Sequence, residues 1–409
     1  MQRFSGRAWF PQGIATSIEP LSQDPDSIRF DVHTRHGTLQ LLDVPNLDSS
    51  AGWNAFFQKV REDDEIQFWG VAESLADGGM EVQESHVTPH GVEAILKHSA
   101  GSFVALFDPI PKVSWRRRWS QLEEIEGVLR CTGGVQADGR DVVVLRHFIE
   151  GERRLAPDDI DHDAIDEMGA ALGRFHTAMA HKAGPRMAEQ WNARLARLER
   201  ISGSGTLWRA PHSGDTRSIW SCARLGFSDW TRTEAGLHLD MLRIGCEPLG
   251  ELVDQTSRFP ALRDVALLHS EIDERFSSEP AGRLHAALFE SWRGSAPARW
   301  TSNAALDGNR GGAMIWRYDV ELVRLLEIEA FTALEAPQRE WLSGVRSIQR
   351  RLFNRRTIPA LGLSALLITA FCAVFLDIPT PAKMALLAAG VLSRVMSQIV
   401  YRRTAPPPY

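Results

Sequence analysis

The apolar and polar positions divide the chain into stretches of different period. Over the first 85 residues the period is two. Ile28-Arg29-Phe30-Asp31-Val32, Thr38-Leu39-Gln40-Leu41-Leu42, Glu65 to Val71 and Met80-Glu81-Val82 each read as strands with one buried face. Trp53 to Val60 reads as a short helix between them. Strands on either side of one short helix predict a small OB-like β domain over residues 1–85. A hairpin follows, Val92–Lys97 and Ser102–Phe107, turning at Ser99-Ala100-Gly101. From Trp115 the period changes to that of a helix. Trp119, Leu122, Ile125 and Leu129 recur on one face, and Glu123, Glu124 and Glu126 fall on the others. Asp141–His147 is a third strand. Ile165, Met168, Leu172, Phe175 and Met179 mark a second amphipathic helix, and Val320 to Leu334 reads as a packed one. Strands first and helices after them give an α+β class.

The C-terminus follows no amphipathic period at all. Ile358 to Leu376 is a run of 19 uncharged residues, close to the roughly 20 that a helix needs to cross a bilayer. Asp377-Ile378-Pro379-Thr380-Pro381 breaks it, and Ala382 to Tyr401 forms a second apolar stretch interrupted by Lys383, Arg394 and Gln398. A two-helix membrane hairpin within residues 346–409 is expected. Arg350, Arg351, Arg355 and Arg356 precede it and Arg402 and Arg403 follow it, which puts both termini on the cytoplasmic side. Arg394 lies deep and needs a partner. A buried helical hairpin of a soluble domain is the alternative reading.

Charge sharpens the division. The 409 residues carry a net −6, but Arg346 to Arg403 holds nine basic residues and one acid, so the remainder carries −14. An acidic body argues against a nucleic-acid surface. Four scattered cysteines without CxxC spacing give no disulfide framework or zinc knuckle and suit a reducing compartment. Met1-Gln-Arg-Phe-Ser-Gly-Arg lacks the apolar run of a signal peptide. Thirteen histidines form no HxH or HExxH pattern.

Strand, strand, helix, strand, linker, helix resembles the passage from small to large lobe in the aminoglycoside phosphotransferase and choline-kinase-like family, over roughly residues 86–335. Val143–Gly151 looks like the hinge of that fold, and Met168–His176 is similar to its long LxxLH helix. The resemblance implies a small lobe over 86–150 and a mainly helical large lobe over 151–345, with ATP and magnesium as cofactors. Adenine would dock at Leu145 and His147. His212-Ser213-Gly214-Asp215 resembles the catalytic loop, which implies Asp215 as acceptor for the substrate hydroxyl and His212 as support for the loop. Leu225-Gly226-Phe227-Ser228-Asp229-Trp230 looks like the metal-binding strand end, implying Asp229 as a magnesium ligand. Ser218 is the nearest substitute for the absent loop asparagine. Gly236 to Leu242 resembles a bracing segment with Asp240 as acceptor. By the resemblance Lys97 or Lys112 would hold phosphate and pair with Glu124 or Glu123.

The departures are as informative. No lysine stands near Leu106, where the family has one, and Asp77-Gly78-Gly79 is the sole glycine-rich candidate for a phosphate loop. Two functions therefore fit. One is a membrane-anchored phosphotransferase acting on a hydroxyl of a small-molecule or lipid-linked substrate. The other is a pseudokinase that serves as a membrane-tethered regulator or scaffold. An unrelated α+β interaction protein is a third.

Overall fold

The structure, a computed structural model, describes residues 4, 6–21, 29–44, 46–63, 66–88, 91–113, 116–204, 206, 208–222, 224–244, 247, 249–253, 258–332 and 338–404. Ile28, Glu65 and Trp115, expected in two strands and at the start of a helix, lie outside these residues.

The chain begins with an antiparallel meander, β1 (Ala15–Pro20), β2 (Arg29–Thr34) and β3 (Gly37–Leu42). Its inward residues, Phe30, Val32, Leu39 and Leu41, join the principal core of the protein. Helix α1 (Ser50–Arg61) follows, capped by Ser49, whose hydroxyl accepts from the Gly52 amide at 3.2 Å. Strands β4 (Ile66–Gly70), β5 (Glu81–Thr88), β6 (Gly91–His98), β7 (Gly101–Val113), β9 (Gly133–Ala137) and β10 (Arg140–His147) make one antiparallel sheet, ordered β4-β9-β10-β7-β6-β5. Between β7 and β9 lies the two-residue β8 (Val128–Leu129).

The expected OB-like barrel is thereby corrected. The described strands of residues 1–85 do not close on one another. β1–β3 form their own sheet, while β4 pairs with β9 and β5 with β6, and β5 runs across residue 85. Period-two patterning states which side chains face inward but not which strand lies next door. α1 covers one face of the six-stranded sheet, where Trp53, Phe56, Phe57 and Val60 pack on Leu96, Phe103, Phe107, Val143 and Leu145.

The helix expected from Trp115 to Leu129 is a single turn, Arg116–Trp119. Trp119, Leu122 and Ile125 are buried as their spacing demanded, but on a coil. Two features end the helix. The Arg116 guanidinium is sunk between Asp108 (3.0 Å) and Asp141 (3.4 Å) and donates to the Ile244 carbonyl, which anchors the first turn to the sheet. Gly127 has φ +78°, and a Cβ there would stand 3.0 Å from Ala171, so the chain turns tightly against the next helix.

The second half is mainly helical. α2 (His162–Met179), α3 (Ala188–Ser202), α4 (Ala261–Arg275), α5 (Ser278–Ser295) and α6 (Ala313–Phe331) enclose the core. α2 crosses α5 at Gly169 and Gly173, where a Cβ would come 2.5 Å from the Leu288 carbonyl and 2.7 Å from Ser295. A four-stranded sheet, ordered β11-β12-β13-β8, joins the two halves. It contains β11 (Arg153–Arg154), the hairpin β12 (Trp230–Thr233) and β13 (Gly236–Asp240), and β8, which runs parallel to β13.

α7 (Gln338–Phe375) and α8 (Thr380–Arg403) form the C-terminal hairpin. Both are long and apolar enough to cross a membrane, with mean hydropathy of 2.2 and 1.5 over their most apolar windows. Leu361, Leu367, Ile368, Phe371, Val374, Phe375 and Met384 are exposed on them, a far larger apolar surface than a soluble monomer ordinarily shows. The helices touch at small residues. A Cβ on Gly362 would lie 1.9 Å from Ser397 Oγ, and one on Gly390 2.0 Å from Thr369 Oγ1. Arg394 has found its partners within the hairpin. It donates to the Pro359 carbonyl at 2.8 Å and to the side-chain oxygen of Gln398 at 2.7 Å.

Candidate functional site: an inter-sheet cleft and the 212–215 loop

A cleft of about 290 Å³ opens between the six-stranded sheet and the four-stranded one. Glu84, Glu93, Ile95 and Val104 line one side, Phe148 and Glu152 the back, and Arg153, Arg154, Thr231 and Arg243 the other. Its floor is a network of charges. Arg146, on β10, donates through Nε to both Asp240 oxygens at 3.0 Å and through Nη2 to Oδ2 at 2.9 Å. It also donates to Glu152, at 2.8 and 2.9 Å. Arg243 donates to Glu93 at 2.8 and 3.1 Å and lies 3.2 Å from Asp240. Arg154 also bonds Glu93. Thr231 Oγ1 and the Leu242 amide, each at 3.0 Å, complete the shell around Asp240.

The electrostatics follow from that shell. Burial alone would raise the Asp240 pKa, but the Arg146 and Arg243 charges and the donated hydrogen bonds outweigh it and hold the carboxyl at about 2. Glu93 is similar. Burial would raise it, and Arg243 with Arg154 brings it below the usual range. Asp240 thus accepts five hydrogen bonds, from Arg146, Thr231 and Leu242, with Arg243 beside it, and its lone pairs are taken up by the protein.

The backbone expected to receive adenine is also occupied. Leu145 accepts from the Thr132 amide at 2.8 Å, His147 from Arg146 at 2.9 Å, and Phe148 donates to Ser102 at 2.9 Å. The Ile149 amide donates to Glu152 at 3.2 Å. Leu145 points into the core beneath α1, and His147 stacks on Phe103 at 5.1 Å. Lys97 is exposed on β6, two residues beyond Ile95. Glu124 is exposed on the coil that replaced the expected helix.

The 212–215 loop lies elsewhere, on the helical half. Asp215 is partly exposed and accepts from Arg299 Nε and Ser302 Oγ, both at 2.9 Å. These bonds hold its carboxyl below the ordinary range. His212 is buried with φ +48° and stands between Trp191 and Trp316, with ring centroids at 5.0 and 5.4 Å. Neither ring nitrogen has a hydrogen-bond partner, and burial, helped by Arg186, lowers its pKa to about 4. The neutral ring is a packing element here.

Asp229 is buried in a third place. Its Oδ2 accepts from the Gly226 amide at 2.7 Å, and it lines a cavity of about 200 Å³ with Arg224, Glu271, Arg324 and Glu327. Ser218 is buried beside Gly184, to which it forms an isolated bridge, and faces Arg258. Ser218 does not line the Asp229 cavity, and among the described residues no group of three or more His, Cys, Asp or Glu is arranged for a metal. Asp215 lines neither the cleft nor the Asp229 cavity.

Sequence reasoning missed Arg146, Arg243 and Glu93. One signal was available: Arg146 and Glu93 interrupt otherwise apolar strands, and a charge in such a position requires a partner.

No protein family and no curated protein sequence matches the chain. Solved structures do. A glucosamine kinase in complex with glucosamine, ADP and inorganic phosphate is 11% identical with a TM-score of 0.44, over 85% of this chain and 97% of that one. A structure described as an aminoglycoside phosphotransferase from Ralstonia eutropha is 11% identical with a TM-score of 0.43, over 87% and 99%. An ethanolamine kinase from Plasmodium vivax is 9% identical with a TM-score of 0.38, over 69% and 82%. The chain is thus similar to kinase-like proteins over most of its length. Likeness this remote says nothing of its activity, for which the side chains must speak.

Proposed function

We propose that the chain is a membrane-anchored protein of kinase-like architecture that has given up phosphoryl transfer and acts as a membrane-tethered regulator or scaffold. One observation carries the reading: the cleft between the two sheets is tied by Arg146 and Arg243 to Asp240, Glu152 and Glu93. Phosphoryl transfer asks a protein chiefly for metal-assisted charge neutralisation and positioning. Arg146 and Arg243 are both engaged by carboxylates, so neither guanidinium is free to neutralise phosphate while the network stands. The uncharged run of 358–376 and its arginine flanks support a two-helix anchor with both termini in the cytoplasm. We further take residues 66–150 as the small lobe, since β4 and β5 belong to its sheet, and 151–345 as the large lobe.

A second reading has one observation in its favour. Arg153, Arg154 and Arg243 converge on the cleft, and guanidiniums suit phosphate oxygens. A phosphotransferase with ATP and magnesium, acting on a hydroxyl of a small-molecule or lipid-linked substrate, would need Arg243 to leave Glu93.

The test is thermal unfolding of the full chain in nanodiscs with and without ATP and magnesium. The proposal predicts an unchanged midpoint. A specific ligand at one hundred times its Kd would stabilise by about 2.7 kcal/mol, and a rise of that size would refute it. Anchoring is checked in membranes washed with carbonate, where release of the full chain into the supernatant would count against the hairpin.

A further inference from the structure

The hairpin and the 212–215 loop are connected through a short loop of five residues, Asp307 to Gly311. At the base of the hairpin, Tyr401 Oη donates to Asp307 Oδ2 at 2.7 Å and accepts from Asn309 Nδ2 at 3.0 Å. Arg356 grips Asn309 from the other helix, with Nε on the side-chain oxygen at 2.8 Å and Nη2 on the carbonyl at 2.9 Å. Arg355 joins the two helices below this clamp. Its guanidinium donates to the Tyr401 carbonyl at 2.6 Å and lies 4.3 Å over the tyrosine ring. Arg355, Arg356 and Tyr401 stand where an apolar run begins or ends, the level at which arginine and tyrosine meet lipid headgroups.

The far side of the five-residue loop touches the candidate site. Gly311 has φ +79°, and its Cα sits so close to the His212 ring that a Cβ would lie 2.2 Å from Nδ1. Its carbonyl accepts from Trp316 Nε1 at 3.1 Å, and the Trp316 ring packs on His212. Ser302 and Arg299, which hold Asp215, stand just before the same loop. The ring nitrogens of His212 have no bonds, so its position depends on packing against Gly311, Trp191 and Trp316.

We propose that Tyr401, Arg356 and Asn309 are positioning residues through which the seating of the hairpin in the bilayer sets the conformation of the 212–215 loop. With the hairpin seated, the clamp presses Gly311 onto His212 and presents Asp215 in one arrangement. With it displaced, Asn309 loses its three hydrogen bonds to Tyr401 and Arg356 and the loop loosens. This rests on the membrane reading of residues 358–401 and is independent of whether the loop performs catalysis.

The experiment is hydrogen–deuterium exchange of the full chain in nanodiscs of phosphatidylcholine and phosphatidylglycerol, for the parent, Tyr401→Phe and Arg356→Gln. Both variants should accelerate amide exchange in residues 212–216 about tenfold, the scale of one lost hydrogen bond. Exchange in α2 should be unaltered, and Phe371→Ala, on the lipid-facing side, should change neither segment. Unaltered exchange of residues 212–216 in both clamp variants would overturn the proposal. So would equal acceleration of that loop and α2, since the clamp would then contribute only general stability. Carbonate extraction of the same preparations reads the membrane assignment separately, because a chain that washes off fails there whatever its loop does.

Discussion

Asp240 and Asp215 are both carboxylates held below their ordinary pKa, yet they live in opposite surroundings. Asp240 is fully buried under two guanidiniums, a hydroxyl and an amide, while Asp215 sits at the surface with one arginine and one serine. The first arrangement cannot rearrange without exposing an unpaired charge to the interior, which is costly. The second is screened by water, and its partners can leave at little cost. The rigid carboxylate lies buried beneath the cleft and the adaptable one on the 212–215 loop.

Cutting the rigid network sharpens the contrast most. Arg146→Met strands Asp240 and Glu152 in the interior and is expected to destabilise by roughly 3–5 kcal/mol, read by urea unfolding. A loss under about 1 kcal/mol would show that the cleft is solvated and the network incidental. The His212 pocket comes next. Its folded pKa of about 4 lies below the ordinary histidine value of 6.5, so between the two the unfolded chain binds a proton that the folded chain does not. Its contribution is complete above pH 6.5 and disappears as pH falls toward 4, on the order of 3 kcal/mol at most. The parent should lose stability between pH 7 and 5 relative to His212→Leu, and parallel pH profiles for the two would remove the neutral buried ring from the account. Gly311→Ala follows, because it introduces a Cβ against His212 at positive φ, a cost of about 1–3 kcal/mol. Its melting point should fall by several degrees, and an unchanged value would mean that the contact is loose. Arg299→Ala is expected to change least. Asp215 is at the surface, so the melting temperature should stay within error of the parent, and a clear drop would reclassify the loop as a structural core.

Much of this was legible in the chain, for reasons that differ by element. The α+β order, the α2 helix and the two C-terminal helices follow from strong periodicity or from its complete absence. The OB-like barrel was not legible, since strand partners are chosen by the whole sheet: β4 pairs with β9, more than sixty residues away. The helix from Trp115 failed because apolar residues at i, i+3 and i+6 bury as well from a coil that Arg116 anchors and Gly127 turns. The surroundings of the proposed site residues were not legible. Asp215, Asp229 and Asp240 occupy three surroundings, and only tertiary contacts could show that Arg146 and Arg243 had claimed the last.

The most direct measurement is phosphotransfer and ATP hydrolysis by the full chain in nanodiscs with magnesium, for the parent and Asp215→Asn. With the cleft tied as described, neither protein turns over ATP, and calorimetry finds no magnesium-dependent nucleotide binding. Turnover by the parent that falls about 10²–10⁴-fold in Asp215→Asn, the usual loss for a general base, would contradict the account and make the chain an enzyme.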